Sequence, residues 1–343
     1  MFSKKPEPYP LKCVPLFIEK IWGGRKIEKA FGKKLPAGKK IGESWEVADL
    51  KEGTSSIGNG ELKGKRLSDA IHIWGKDLIG ERWGELKQFP LLIKIIDAQE
   101  DLSIQVHPDA ESCKKYFPEH YSKDECWIVL DSEEGASIYW GFEKNKNIND
   151  YLQHLERGNL TNILRKLIVK KGDCIKISSG TVHSLLKGVM VLEIQEPSDS
   201  TFRIYDYGRV GEDGKPRPIH LDGAKKVVKF DWVENPFLVP DKKIFFWGTQ
   251  EVIIDCPAYR IERWQFANSL ELKEMRKTAR IIFNLEGKIE LINKDSSFLI
   301  LPGETIIIPA KTKPTKLIAQ RTAKIIVAGA SGVSFFTKEE NKI

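Results

Sequence analysis

Short runs of apolar, β-branched and aromatic residues, separated by turns, recur along this chain and restrict the folds that it can adopt. Before residue 200 the runs include FPLLIKIIDA, ECWIVLD, ASIYWGF, CIKIS and VMVLEIQ, with EEG, KKGD and SSG among the turns between them. From about residue 240 similar runs resume, among them KIFFWG, YRIERWQF and SFLILPGETIIIPA. This pattern predicts a mainly β protein, built as a sandwich or a barrel.

Helical patterns interrupt the strands at a few places. Ser68 is a candidate N-cap for DAIHIWGKDLIG, and Asn149 or Asp150 is a candidate start for YLQHLERGNLTNILRKL. We therefore expect a helical insert near residues 143–168. A short helix is also expected near residues 224–229, after a loop rich in Gly and Pro.

Two segments of the chain resemble each other and indicate two related units. KGDCIKISSGTVHS at 171–184 is similar to PGETIIIPAKTKPT at 302–315, and His183 aligns with Pro314. A chain of 343 residues is long enough for two domains. We predict a catalytic unit over residues 1–235 and a smaller β unit over residues 236–343 that lacks metal ligands.

Composition excludes several classes of protein. The chain is 41% hydrophobic and 30% charged, which is typical of soluble globular proteins. No apolar run approaches the roughly 20 residues of a membrane span, and no secretory signal is evident. Five scattered cysteines without a CxxC pair indicate a reducing cytoplasm. The net charge of +7 is dispersed, so nucleic acid is not expected as a partner, whereas an anionic small substrate or a lysine-rich surface explains the excess equally well.

Four residues form a candidate metal site. Gln105 and His107 are two apart in SIQVHPD, and alternate residues of a strand share a face. His183 ends a G-x5-S-x-G-x2-H pattern that resembles the second motif of the cupin superfamily, with Ser178 where proline is usual. Glu125 opens an apolar strand. Two imidazoles, a carboxylate and an amide make a plausible catalytic zinc set, although a cupin that uses iron or manganese remains an alternative.

Several blocks together resemble the type I phosphomannose isomerase family, in its compact bacterial branch. They are IWGG, IGESWEVAD, SIQVHPD, ECWIVL, GTVHSL and LEIQEPSDSTFRIYDYGR, in the family's order and approximate spacing through about residue 230. The resemblance implies a cupin-like (jelly-roll) β-barrel catalytic unit with helical insertions, followed by a second, smaller cupin-like β unit. It also implies one Zn²⁺ per chain, with the ligands Gln105, His107, Glu125 and His183.

The family interconverts mannose 6-phosphate and fructose 6-phosphate, and the resemblance implies that reaction here, through a cis-enediolate. It places Glu193, Arg203, Lys94 and Lys123 in the active site. We favour Glu193 as a group that moves or orients a proton, and Arg203 as the cation that stabilises developing negative charge. Lys94 and Lys123 are expected to contact substrate oxygens, and either lysine remains a rival for the role of base.

The resemblance also suggests residues that hold the substrate. Ser103 and Arg209 are candidates for the phosphate, and Trp22 and Trp45 are candidates for the walls of the sugar pocket. Nucleotide binding is not expected, because neither a Walker motif nor a strand-linked GxGxxG is present. The alternative of a different class is a non-catalytic sugar-phosphate-binding cupin protein. The sequence does not specify an oligomeric state.

Overall fold

The fold was obtained as a computed structural model, and it describes residues 5–84, 86–211, 214–294 and 296–335. Strands make up 42% of the structure and helices 15%, which confirms the prediction of a mainly β protein. Within the described residues, no helix combines the length and the apolar character that crossing a bilayer demands.

The elements are numbered in chain order. The strands are β1 Leu11–Val14, β2 Leu16–Gly24, β3 Ile41–Val47, β4 Asp49–Leu50, β5 Gly53–Thr54, β6 Ser56–Ile57, β7 Leu92–Asp97, β8 Ile104–Val106, β9 Glu125–Ser132, β10 Ser137–Phe142, β11 Leu164–Ile168, β12 Cys174–Ile177, β13 His183–Leu185, β14 Val189–Gln195, β15 Phe202–Tyr205, β16 Asp241–Phe245, β17 Gly248–Asp255, β18 Arg260–Leu272, β19 Arg280–Glu286, β20 Ile289–Asn293, β21 Ser296–Ile300, β22 Thr305–Ile308 and β23 Thr315–Gly329. The α-helices are α1 Lys26–Phe31, α2 Leu67–Trp74, α3 Lys76–Ile79, α4 Ala110–Tyr116, α5 Ile148–Glu156 and α6 Leu221–Val227, and 3₁₀ turns cover Glu81–Trp83 and Leu160–Ile163.

Two antiparallel sheets form the barrel that carries the predicted site. One has the strand order β12-β9-β14-β7-β3-β2, and the other has the order β11-β10-β13-β8-β15. Strand β14 shows how the barrel is filled: Val189 and Val191 pack inside it, whereas Met190 and Leu192 pack on the opposite face, in the core that also includes residues of the C-terminal half. Alternation along the strand therefore turns Glu193 toward the barrel interior, beside an apolar core.

A third sheet combines both ends of the chain. Its strand order is β16-β17-β18-β23-β19-β22-β1-β6, and β20 pairs with β23 and β21. The N-terminal strand β1 joins through Leu11, which pairs with Ile307 of β22. A single apolar cluster then connects this sheet with the outer face of the barrel. The division near residue 235 stays a prediction, and residues 336–343 at its far end lie outside the described residues.

Two helical predictions are wrong in detail. Helix α2 begins at Leu67 with Arg66 as N-cap, and the Asp69 side chain accepts a hydrogen bond from the Arg66 amide, so Ser68 lies inside the helix. Helix α5 begins after Asn147, whose side chain caps it, and ends at Glu156. The sequence LRKLI beyond it is strand β11, because pairing with β10 outweighs a helical pattern in a short apolar segment.

Candidate metal centre and active site

Three predicted site residues form a row across adjacent strands of the barrel. His183 on β13 pairs with Gln105 on β8, and Gln105 pairs with Arg203 on β15. The Gln105 amide nitrogen lies 3.2 Å from Nε2 of His183. His107 follows the last residue of β8, and its ring centroid is 4.8 Å from that of His183. The spacing of two residues between Gln105 and His107 thus brings both side chains to one side of the barrel.

His107, Glu125 and His183 form a compact buried cluster. Nε2 of His107 lies 3.2 Å from one Glu125 oxygen, and Nε2 of His183 lies 3.6 Å from the other. The ligand atoms of all three lie within 4.8 Å of one another. In the part of the chain that the structure describes, no other group of His, Cys, Asp and Glu meets this criterion. The fold therefore places three of the predicted ligands close enough together to share one metal ion.

Backbone contacts fix the protonation of both imidazoles. Nδ1 of His107 lies 2.9 Å from the Ser200 carbonyl, and Nδ1 of His183 lies 2.9 Å from the Thr181 carbonyl. A carbonyl only accepts, so each Nδ1 donates and each Nε2 carries the lone pair that faces Glu125. Burial lowers the pKa of His107 to about 4 and also lowers the pKa of His183. Both rings are therefore neutral near pH 7, which is the form that ligates metals.

Lys123 belongs to the same cluster, although it precedes β9 on a loop. Its ammonium lies 2.6 Å from Glu125 and 3.2 Å from Nε2 of His107, and the residue is buried. Burial acts to raise the pKa of Glu125, but the Lys123 charge and the two histidines hold it well below its usual range. Composition alone would assign Lys123 to the surface. The family resemblance was the signal that placed it in the site.

Lys94 and Glu193 form a buried ion pair on the facing sheet. The two residues are opposite each other on β7 and β14, and their charged atoms lie 2.9 Å apart. The Trp127 indole donates a 2.6 Å hydrogen bond to the other Glu193 oxygen. Burial acts to lower the pKa of Lys94, but Glu193 and then Glu43 outweigh it and raise that pKa above its ordinary value. Lys94 is therefore held as an ammonium.

Glu43 is a site residue that sequence reasoning did not assign. It is buried on β3, 3.9 Å from the Lys94 ammonium and 3.4 Å from that of Lys20. Burial acts to raise its pKa, but Lys94, Lys20 and a hydrogen bond from the Trp45 indole lower it to about 2. The sequence feature that could have identified Glu43 is its position two residues before Trp45, on the same face of the IGESWEVAD strand. Trp45 itself packs away from the cavity, against Leu16 and neighbouring apolar residues.

A cavity of about 230 Å³ contains the Lys94–Glu193 pair, and Gln105 and Lys123, which contact His183 and Glu125, connect it with the metal cluster. It is lined by seven of the predicted residues, namely Trp22, Lys94, Ser103, Gln105, Lys123, Glu193 and Arg203. Lys20, Glu43, Asp199, Thr201 and Arg217 are among the lining residues that were not predicted. A larger cleft of about 700 Å³ shares Asp199 with this cavity but is lined by none of the predicted site residues. The smaller cavity is therefore the candidate active site.

Glu193 and Arg203 face this cavity from opposite sheets. The strands that carry them are not paired in a hairpin, because β14 pairs with β7 and β9, whereas β15 pairs with β8. Phe202 and Ile204 are buried in a separate core, so alternation turns Arg203 toward the cavity. Its Nη1 donates to the Pro218 carbonyl at 2.7 Å. Among the described residues, no carboxylate oxygen lies within 4.0 Å of its guanidinium nitrogens.

Arg209 lies behind the wall of the cavity and does not line it. Its guanidinium donates to the Asp206 carboxylate at 2.6 Å and to the Asp101 carbonyl, and it stacks over the Tyr207 ring. Arg217 binds the same Asp206 carboxylate, and it is this arginine that lines the cavity.

Comparison with known proteins gives a consistent result. Residues 10–139 match the family model of the type I phosphomannose isomerase catalytic domain. A probable mannose-6-phosphate isomerase of Bacillus subtilis, GmuF, is 33% identical over 304 residues, which cover 88% of this chain and 94% of the relative. The mannose-6-phosphate isomerase of Streptococcus mutans is 32% identical over 308 residues, or 87% of this chain and 93% of the relative.

Solved structures agree with the sequence relatives. The crystal structure of the mannose 6-phosphate isomerase from Bacillus subtilis has a TM-score of 0.85 at 29% identity, and covers 93% of this chain and 99% of that chain. A zinc-bound mannose 6-phosphate isomerase structure has a TM-score of 0.74 at 18% identity, over 94% of this chain and 99% of that chain, which shows the shared fold. The cupin-like fold predicted from the sequence is confirmed.

Proposed function

The chain belongs to the type I phosphomannose isomerase family, and on that premise we propose that it interconverts mannose 6-phosphate and fructose 6-phosphate with one bound Zn²⁺. The observation that carries the proposal is the buried His107–Glu125–His183 cluster. Gln105 and Lys123 connect this cluster with the cavity that contains the Lys94–Glu193 ion pair. A Lewis acid beside a carboxylate and an ammonium can serve an aldose–ketose isomerisation, which needs a proton acceptor and a positive group near the substrate oxygens.

The residues present suit a zinc ion. His107 and His183 offer neutral Nε2 atoms, and Glu125 offers two buried oxygens, one beside the Lys123 ammonium at 2.6 Å and the other without a hydrogen bond among the described residues. Gln105 completes the set through its amide oxygen, since the two ends of an amide exchange places by a simple rotation. Zinc at this position supplies a Lewis acid for the substrate oxygens.

The proton transfers are assigned to the Lys94–Glu193 pair. An ionised Glu193 accepts the proton from C2 of mannose 6-phosphate, while the electron pair of the broken bond forms the C1–C2 double bond and leaves negative charge on O1. Return of the proton to C1, with transfer of the O2 proton to O1, gives the ketose. Lys94 is held as an ammonium, so we propose that it donates to the substrate oxygens and does not act as the base.

Two further cations act on the charge of the cis-enediolate. Arg203 follows Gln105 in the row across the sheet and has a carbonyl partner but no carboxylate partner among the described residues. We propose that it stabilises the negative charge that develops on oxygen. Lys123, fixed by Glu125, contacts the substrate from the metal side of the cavity.

Of the remaining predicted residues, some contact the substrate and others act through a neighbouring side chain. Ser103 and Trp22 line the cavity, and we propose that they contact the sugar phosphate directly. Trp45 acts through its hydrogen bond to Glu43, and Arg209 acts through Asp206. The described cysteines are free and buried, which suits the reducing cytoplasm that we propose as the compartment.

A coupled assay of fructose 6-phosphate formation tests the proposal. The wild-type protein, supplied with zinc, is expected to convert mannose 6-phosphate with steady-state turnover. The alternative, a non-catalytic sugar-phosphate-binding cupin, predicts that mannose 6-phosphate binds in calorimetry but yields no fructose 6-phosphate. Binding without turnover would therefore overturn the assignment as an isomerase.

A further inference from the structure

A short segment that runs beside strand β15 helps to hold Arg203 in place. β15 is the edge strand of its five-stranded sheet, and β8 is its only partner strand among the described residues. Residues 218–220 lie along the other edge of β15 and hydrogen-bond to Arg203 there. The position of Arg203 in the cavity therefore depends on this segment as well as on the sheet.

His220 binds both backbone groups of Arg203. The Arg203 amide donates a 3.1 Å hydrogen bond to Nδ1 of the His220 ring, and the His220 amide donates a 2.8 Å hydrogen bond to the Arg203 carbonyl. A backbone amide has one hydrogen to donate, so the imidazole takes the place that the carbonyl of a neighbouring strand has inside a sheet. A side chain thus completes the edge of the sheet at Arg203.

The same segment also holds the guanidinium of Arg203. Its Nη1 donates a 2.7 Å hydrogen bond to the carbonyl of Pro218, two residues before His220. Within the described ranges, no carboxylate oxygen lies within 4.0 Å of the guanidinium nitrogens, and Nε has no hydrogen-bond partner. Residues 218–220 therefore fix both the backbone and the side chain of an arginine that no acid pairs with in that part of the chain.

The His220 ring accepts its hydrogen bond only as a neutral imidazole with the hydrogen on Nε2. Burial lowers the pKa of His220, and the positive charges of Arg203 and His120 lower it further. The ring is therefore neutral near pH 7, and Nδ1 stays available as an acceptor.

Helix α6 fixes His220 in turn. The Ala224 amide donates a 2.9 Å hydrogen bond to the His220 carbonyl, which begins the first turn of the helix. Ala224 is buried in the apolar cluster that also contains Phe202, the neighbour of Arg203 on β15. A Cβ at Gly223 would lie 2.8 Å from the Phe202 ring, so the helix and the strand are in close contact. His220 thus connects a packed helix with the backbone of Arg203.

We propose that His220 is a positioning residue for the isomerisation, which holds Arg203 where negative charge develops on the enediolate oxygens. This inference rests on the proposed function, since it assumes the role given there to Arg203. A cation that is oriented before the reaction stabilises developing charge most effectively, and a small displacement of such a group lowers the rate. Loss of the His220 acceptor should therefore reduce kcat and leave KM nearly unchanged.

The test replaces His220 by two residues of the same branched shape. His220→Asn keeps an oxygen acceptor near the position of Nδ1, whereas His220→Leu has none. His220→Leu is expected to lower kcat for mannose 6-phosphate about 10- to 100-fold, with KM within about threefold of the wild type. His220→Asn is expected to keep kcat within a few fold of the wild type. His120→Leu is the matched control, because the His120 ring also packs against Phe202, at 5.3 Å, but pairs with Glu119 and not with Arg203.

A second readout does not need turnover. The Arg203 amide is expected to exchange its hydrogen with deuterium oxide at least about tenfold faster in His220→Leu than in the wild type, because its acceptor is lost. His220→Asn should restore slow exchange. Nuclear magnetic resonance of the zinc-supplied protein measures these rates.

The outcomes separate this inference from the proposed function. If the wild type has no isomerase activity, the proposed function fails, and the exchange rates alone decide whether His220 holds Arg203. If turnover is present but His220→Leu has the kcat of His220→Asn or of His120→Leu, the positioning role is wrong. A raised KM with unchanged kcat would also contradict it, since His220 would then act in substrate binding. Should His220→Leu fail to fold, His220→Ala replaces it, and a kcat equal to that of His220→Asn overturns the proposal.

Discussion

The carboxylate of Glu193 lies 2.9 Å from the ammonium of Lys94, and the two residues stand directly opposite each other on neighbouring strands. The Trp127 indole fixes the second carboxylate oxygen at 2.6 Å. Strand register, an ion pair and an indole donor together leave Glu193 little freedom of orientation. A carboxylate held in this way, beside the metal cluster, is the natural candidate for moving a proton between adjacent carbons.

Replacing this carboxylate should abolish most of the turnover. Glu193→Gln keeps the shape and the hydrogen bond from Trp127 but cannot accept a proton, so kcat is expected to fall by about 10²- to 10⁴-fold. Zinc content should be unchanged. Glu262→Gln is a matched control, because Glu262 is also buried and accepts a 2.7 Å hydrogen bond from the indole of Trp264, outside the site. A kcat for Glu193→Gln within a few fold of this control would contradict the assigned role.

A proton that passes through an enediolate should exchange with solvent. We expect the reaction in deuterium oxide to incorporate deuterium at C1 of fructose 6-phosphate, because the acidic proton of Glu193 exchanges between transfers. Nuclear magnetic resonance of the product measures the incorporation. Product that retains the original hydrogen throughout, after many turnovers in both directions, would indicate a direct hydride shift instead.

Glu43 should make stability depend on acid. Its pKa is about 2 in the folded protein, against about 4.3 in an unfolded chain, so the folded state favours the ionised form. That stabilisation, on the order of 3 kcal/mol, is fully present above the unfolded pKa and is lost as the pH falls from about 4.3 through about 2. Urea unfolding of the wild type and of Glu43→Gln measures it.

The wild type is expected to have a higher unfolding free energy than Glu43→Gln near neutral pH. This difference should shrink as the pH falls from about 4.3 to about 2. A difference that stays constant across the window would show that the Glu43 charge is not stabilised by Lys94 and Lys20.

Gly42 should control the shape of one cavity wall. Ile41 of β3 pairs with both Glu19 and Gly24, so residues 20–23 leave the ladder and carry Lys20 and Trp22 to the cavity. A Cβ at Gly42 would lie 2.6 Å from the Trp22 ring and 2.7 Å from Cβ of Lys20.

Gly42→Ala is therefore expected to displace that wall, to raise KM, and to cost about 1–3 kcal/mol of unfolding free energy. Gly58→Ala is the control, because its nearest contact would be 3.3 Å and it does not line the cavity. Equal KM values for the two variants would show that the wall does not need Gly42.

Local sequence rules account for the side chains that lie on strands. Alternation along β7, β14 and β15 turns Lys94, Glu193 and Arg203 inward, since apolar neighbours occupy the other face of each strand. The spacing of Gln105 and His107 also reflects strand geometry. These features depend on residues close in sequence, so they could be predicted before the fold was known.

Other features depend on contacts that no local pattern records. Lys123 is buried because its loop turns toward Glu125, and the loop sequence alone resembles surface. Arg209 was the arginine that the resemblance suggested for the phosphate, but its contacts with Asp206, Asp101 and Tyr207 hold it behind the wall, and Arg217 lines the cavity instead. Strand β11 likewise depends on its partner β10, which a helical pattern in the same residues does not reveal.

The most direct measurement is zinc binding and mannose 6-phosphate turnover on chelator-treated protein, for the wild type and for His183→Ala. The control is His154→Ala, since His154 lies on α5 and bonds to the Asp150 carbonyl, outside the cluster. We predict one zinc per chain and restored turnover for the wild type and the control, with zinc affinity for His183→Ala weakened more than about 100-fold and turnover lost. Full activity of the chelated wild type, or undiminished zinc affinity of His183→Ala, would contradict the proposed metal centre.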